Sequence, residues 1–258
     1  MNFKDQLQKA VQTNNSLLCV GLDPDPEKIP AGSSIFDFNK RIIDDTASSV
    51  CAYKPNIAFY EAAGLTGLED LKKTIDYLKE KYPQIPIILD AKRADIPNTA
   101  RMYAAAVFDF WKTDAVTVYP HLGLDSLEPF LEYKNKMIFL LFKTSNPDSG
   151  MFQDLKVGGK PYYLAIAQKI SKWNHQNFGI FVGATYPSEM ANLRKIYPGR
   201  IFLSAGMGAQ SAQIKAAVQS GVDKTGQGII FNASRSIIYA QDPAKAAQNL
   251  KDEINKYR

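Results

Sequence analysis

Short apolar runs recur along the chain, each followed by a stretch with helical spacing. The runs are Ser16–Asp23 (SLLCVGLD), Ala52–Phe59, Pro86–Lys92, Ala115–Pro120, Met137–Lys143, Gly179–Ala184, Arg200–Ala205 and Gly228–Ala233. Each is too short for a typical helix and rich in Ile, Val, Leu and Phe, as a parallel strand covered on both faces should be. Between them, segments such as LEDLKKTIDYLKEKY, PSEMANLRKIY and KISKWNHQNF read as helices, the last carrying His175. The opening stretch MNFKDQLQKAVQTNN is also an amphipathic helix pattern. Eight strand–helix units in 258 residues predict an α/β fold, a single-domain TIM (β/α)8 barrel over residues 1–258. A doubly wound open sheet is the competing topology, but no GxGxxG follows the first run. The longest interruption, Lys143–Lys160, is expected to be a loop.

A barrel carries its chemistry at the C-terminal ends of its strands, so the residues that end each run are the ones to read. In order they are Asp23, Lys54, Asp90 with Lys92 and Asp95, Tyr119 with His121, Thr144 with Ser145, Gln210, and Arg235. The stretch DAKRADIPNT (Asp90–Thr99) stands out, with two bases between two acids in six residues. Strand alternation places Asp90 and Lys92 on one face and Ala91 on the other, with Lys54 on the neighbouring strand. After the seventh and eighth runs, SAGMGAQSA (Ser204–Ala212) and GIIFNASRSI (Gly228–Ile237) pass through small residues into helices. Small residues let backbone approach a ligand and a helix start offers free N–H groups, so these two loops form a candidate phosphate site. Arg235 would add a charged fork and Gln210 a neutral donor.

Composition narrows the chemistry. The chain is 45% hydrophobic and 22% charged, as in a soluble globular protein. No apolar run approaches the roughly 20 residues needed to span a bilayer, and no secretory signal is expected, so no membrane partner is expected. Cys19 and Cys51 lie in apolar contexts without CxxC spacing, which favours a reducing cytoplasm over a disulfide framework. The net charge of +5 is scattered over helix faces, without the basic patch or aromatic platform that nucleic acid would need. With only His121 and His175, a His- or Cys-based metal site is not expected, and GxSxG is absent. What remains is a phosphorylated small molecule whose chemistry is run by Lys and Asp.

DAKRADI closely resembles the DAKRxDI signature of orotidine 5′-phosphate decarboxylases of the type found in many bacteria. GLDPDP, YKPNIAFYEAAG, TVYPHLGLDSLEPF, FKTSNPDSG, VGATYP, GAQ and NASRS are similar to further blocks of that family and extend the likeness over nearly the whole chain. The resemblance implies loss of CO2 from orotidine 5′-phosphate to give UMP, the last step of pyrimidine nucleotide synthesis, without metal or cofactor. It implies that Lys92, held by Asp90 and Asp95, meets the reacting carbon, and that Lys54 orients Asp90 and touches the ribose. Asp23 and Thr99 would take ribose hydroxyls, Ser145 with Thr144 the pyrimidine edge, and Gln210, Arg235 and the adjoining Ser234 the phosphate. It further implies a homodimer in which Asp95 and Thr99 complete the partner's site; on residues alone, Asp95 could equally pair with Lys92 of its own chain. Ala94, Pro97 and Ser236 depart from the small residues usual in relatives, and Ala205 from a frequent Pro. The alternative is a magnesium-dependent sugar-phosphate decarboxylase of the same barrel superfamily, which shares the Asp-x-Lys-x-x-Asp row.

Overall fold

Every one of the eight apolar runs overlaps a strand in the computed structural model, which describes residues 1–207 and 210–258. The strands are β1 (Leu18–Leu22), β2 (Ala52–Pro55), β3 (Ile88–Arg93), β4 (Ala115–Val118), β5 (Met137–Lys143), β6 (Phe178–Gly183), β7 (Phe202–Ala205) and β8 (Ile229–Ala233). Their order is β2-β1-β8-β7-β6-β5-β4-β3, all pairs parallel. Two isolated parallel bridges, Tyr53↔Ile87 and Asn56↔Asp90, join β2 to β3 and close the ring. The architecture is the expected (β/α)8 barrel.

Helices form where apolar spacing and caps agree. Helix Ile35–Thr46 opens with a capping box in which Ser34 and Asp37 satisfy each other's backbone N–H groups. Helix Pro243–Asn255 starts with Pro at its first position behind an Asp242 cap. At the N-terminal end of the barrel, helix Phe3–Asn14 lays Phe3 edge-on against Phe139 of β5, with ring centroids 5.8 Å apart. Burying a ring of this kind stabilises by about 1.5–3 kcal/mol. Phe139 also explains Gly179, where a Cβ would lie 2.7 Å from its ring and 2.6 Å from the Ile201 carbonyl oxygen.

Four boundaries differ from the expectation. The second run stops being strand at Pro55, because Asn56 turns to cap the short helix Ile57–Ala62. β4 ends at Val118, so His121 lies in the turn beyond it. The helix read through KISKWNHQNF ends at Ile170, and His175 sits in the following loop, where its carbonyl accepts from Arg200 (2.7 Å). The stretch after β5 is not plain loop: it holds a helical turn, Gly150–Gln153, and a hairpin pairing Lys156–Val157 with Lys160–Pro161.

Candidate active site

The strands deliver their polar ends to one cleft of about 810 Å3 at the C-terminal mouth of the barrel. At its floor Lys54, Asp90 and Lys92 form a continuous row: Lys54 Nζ lies 2.7 Å from Asp90 Oδ2, and Lys92 Nζ lies 2.6 Å from Oδ1. Lys54 and Asp90 are buried at 2% and 6% exposure, whereas Lys92 opens to the cleft. Burial alone would raise the Asp90 carboxyl, but the two ammonium groups outweigh it and hold the group well below the usual carboxylate range. Burial would likewise lower Lys54; Asp90 and then Asp23 reverse the sign and keep it firmly protonated. Two cations around one buried carboxylate give the row a net positive charge facing the cleft.

Asp90 and Lys92 converge as the alternation predicted, but not through a regular pleat. The β3–β4 register jumps from Leu89↔Val116 to Arg93↔Val118, which leaves Asp90, Ala91 and Lys92 opposite Thr117 alone. Lys92 absorbs the surplus with a left-handed backbone, φ +48°. Arg93 then points outward to Glu61 (3.1 Å) and does not join the row.

Among the described residues, three buried polar atoms around the cleft have no hydrogen-bond partner: Asp23 Oδ1, Asn232 Oδ1 and Ser234 Oγ. A buried polar atom without a hydrogen bond is costly, so three together mark a surface built for a polar ligand. Gly21 permits this crowding, since a Cβ there would lie 2.8 Å from Ser234 Cβ and 3.1 Å from Asn232 Oδ1. Asn232 was not singled out in the sequence; its place inside an apolar run, at a position that β8 aims at the rim, was the available signal. Ser234 precedes the short helix Arg235–Ile238, and Arg235 stands exposed on the same rim. Gln210 is the exposed N-cap of helix Ser211–Gly221, but it is not among the residues lining the cleft. Residues 208 and 209 of the expected phosphate loop lie outside the described residues.

On the opposite wall, Ser145 is seated by two glycines. A Cβ at Gly183 would lie 2.8 Å from Ser145 Cα, and one at Gly206 (φ +84°) 2.9 Å from its Cβ. The loop that carries Ser145 is tied down from within. Lys143, fully buried at the end of β5, pairs with Asp154 (2.7 Å) and lies over the Tyr186 ring, 4.6 Å from its centroid. Thr144 exchanges two hydrogen bonds with Gln153, donating none of its own hydroxyl to them: its N–H bonds Gln153 Oε1 (3.0 Å) and its Oγ1 accepts from Nε2 (2.9 Å). The Thr144 hydroxyl proton goes to Asn146 (2.7 Å).

Asp95 and Thr99 stand apart from the row in their own chain. Asp95 accepts from the Ile96 N–H (2.7 Å) and, among the described residues, forms no ion pair with Lys92. Thr99 lies in helix Pro97–Ala105, which Pro97 opens at its first position without strain, and neither residue lines the cleft. Tyr119 does line it; His121 stacks between Tyr119 and Tyr162, with 5.7 Å between centroids on each side, and burial lowers its pKa. Among the described residues, no cluster of three His, Cys, Asp or Glu has the spacing of a metal site.

A parallel eight-stranded barrel with a charged, ligand-shaped cleft at the C-terminal ends of its strands is the layout of a TIM-barrel enzyme. Residues 16–250 match the family described as orotidine 5′-phosphate decarboxylase / HUMPS. The chain belongs to this family. An orotidine 5′-phosphate decarboxylase of Dehalococcoides mccartyi is 47% identical over 270 residues, covering 100% of this chain and 99% of that protein. One from Cupriavidus taiwanensis is 44% identical over 272 residues, with the same coverage. The solved OMP decarboxylase of Leishmania donovani superposes with a TM-score of 0.90 at 39% identity, covering 100% of this chain and 99% of its own.

Proposed function

We propose that this protein decarboxylates orotidine 5′-phosphate to UMP, in the synthesis of pyrimidine nucleotides. The observation that carries the reading is the Lys54–Asp90–Lys92 row at the mouth of the barrel, in a chain whose full length matches decarboxylases of that name. The bond from C6 of the pyrimidine to its carboxylate breaks, CO2 departs, and the electron pair stays on C6 in an sp2 orbital with little resonance relief. Lys92 meets that pair with its ammonium charge and then gives it a proton, leaving C6–H and a neutral amine that water reprotonates. Asp90 holds Lys92 in place, and Lys54 holds Asp90 from the buried side while reaching the ribose.

The remaining roles are those the family resemblance implies. Asp23 takes ribose hydroxyls with an oxygen that has no other partner among the described residues; Ser145, with Thr144 behind it, reads the pyrimidine edge. Ser234 and Arg235 on the cleft rim, with Gln210 beyond it at the start of helix Ser211–Gly221, hold the phosphate, far from the reacting carbon, where its binding energy serves orientation. Asp95 and Thr99 serve the site of a second copy in a homodimer. Support comes from their standing off their own cleft and from the exposed apolar Ile96 and Met102 beside them. The chain works as one barrel domain over 1–258. It acts in the cytoplasm, a reading supported by its two buried free thiols and the lack of any described helix long and apolar enough to cross a membrane.

The test is a metal-free assay: purified protein, excess EDTA and orotidine 5′-phosphate, followed by loss of ultraviolet absorbance. Turnover should persist in EDTA, because charge at C6 is met by Lys92. Absence of turnover would refute the reading. Turnover abolished by EDTA and restored by magnesium would favour the sugar-phosphate class of decarboxylase.

A further inference from the structure

Thr117 looks, in sequence, like an ordinary β-branched residue of the apolar strand AVTV, and it is completely buried. Its hydroxyl, however, sits where the β3–β4 ladder fails. Three residues of β3 face this one residue of β4, so the N–H groups of Ala91 and Lys92 have no regular ladder acceptor. Both instead donate to Thr117 Oγ1, at 3.1 Å each. With its two lone pairs engaged in this way, the hydroxyl has only its proton left to give. The proton goes to Asp90 Oδ1 at 2.9 Å, the same oxygen that receives Lys92 Nζ.

One hydroxyl therefore fixes the backbone of Lys92, in a left-handed conformation that a lysine rarely adopts, and also the carboxylate that aims the Lys92 ammonium. Thr117 does not line the cleft. We propose that Thr117 is a positioning residue for the decarboxylation, resting on the reading above: its hydroxyl holds the β3 bulge and Asp90 so that Lys92 Nζ stands over the reacting carbon. Valine at this position keeps the shape and the β-branch but removes donor and acceptor together. The Ala91 and Lys92 N–H groups would then be orphaned, and Asp90 Oδ1 would keep Lys92 Nζ but lose its anchor to β4. A displacement of about 1 Å in a reacting group costs on the order of a hundredfold in rate.

The test compares Thr117→Val and Thr117→Ser with the wild type in three measurements: kcat, the affinity for UMP, and crystal structures. Thr117→Val should lower kcat on the order of a hundredfold while UMP affinity stays within about twofold, because the phosphate and ribose contacts are untouched. Thr117→Ser, which restores the hydroxyl, should recover kcat to within about fivefold of wild type. In the Thr117→Val crystal structure, Lys92 should leave its left-handed conformation or its contact with Asp90. If valine disrupts folding, Thr117→Ala removes the hydroxyl without overfilling the site and is read in the same way. An unchanged kcat in the valine variant, an unchanged Lys92, or equal losses of kcat and UMP affinity that serine does not repair would each overturn the assignment. A wild-type protein without activity would refute the decarboxylase reading and, with it, the catalytic purpose of the positioning; the crystallographic comparison would still report whether this hydroxyl sets Lys92.

Discussion

Replacing Lys54 with Met tests whether the row is held by charge or only by packing. Methionine matches the length of the lysine stem and removes the ammonium, leaving Asp90 buried with Lys92 and Thr117 on Oδ1 and without its 2.7 Å partner on Oδ2. Side-chain exposure is only 3% for Lys54 and 7% for Asp90, so solvent cannot compensate the loss. Breaking a buried pair from one side costs about 3–5 kcal/mol, and the surviving contacts of Asp90 put the expectation near the lower figure. For a chain of this size that is a fall in Tm of roughly 6–12 °C at pH 7. The sign with pH follows from the two shifts. The Asp90 carboxyl is held below its ordinary range, so its contribution is full above about pH 3.9 and is lost as pH falls through the folded value. Lys54 is raised, so its contribution is full below about pH 10.4 and is lost as pH rises through the folded value. In Lys54→Met, burial pushes Asp90 upward against Lys92 alone, and the carboxyl takes a proton at a higher pH than in the wild type. The stability deficit of the variant should therefore be widest near neutrality and narrow in acid. Urea unfolding of both proteins between pH 7 and pH 4 measures it, and Lys54→Met/Asp90→Asn should cost less than Lys54→Met alone. A deficit that is absent at pH 7, or does not narrow with acid, would refute the electrostatic account.

Arg235→Ala should weaken the phosphorylated substrate by about 1.5–3 kcal/mol per charge-assisted bond lost and leave the bare nucleoside little changed. Steady-state constants with orotidine and its 5′-phosphate check this, and equal losses would move the phosphate site elsewhere. Lys92→Ala and Asp95→Ala should each be nearly inactive alone, yet recover roughly a quarter of wild-type activity when dissociated and re-associated together, because a mixed dimer with shared sites has one site free of both defects. No recovery, with mixed dimers shown to form, would return Asp95 to its own chain.

All eight strands were legible because burial on both faces writes a parallel strand as an uninterrupted apolar run. The rim residues Asp23, Lys54, Asp90, Lys92 and Ser145 were legible because a polar residue ending such a run has few reasons to be there. Other features carry no such mark. The bulge at Lys92 arises from a mismatch between two strands, and neither DAKR nor AVTV shows it alone. Lys143 ends MIFLLFK like a lysine reaching water, but Asp154 and Tyr186 fold over it from later segments and leave it fully buried. The helix expected through His175 failed for a local reason: WNHQN offers capping and turn residues where apolar spacing would have to continue, and the chain leaves the helix after Ile170.

The barrel's seam gives the Lys54–Asp90 contact a second meaning. Other neighbouring strands are laced together by three to five register pairs, but β2 and β3 meet through two isolated bridges, one of which involves Asp90 itself. The ion pair from Lys54 crosses this same gap, so a bond between side chains adds to the two backbone bridges there. Closure of the cylinder and orientation of its reactive amine thus share one carboxylate. A lineage drifting toward different chemistry at Asp90 would also give up a contact that helps its barrel stay shut.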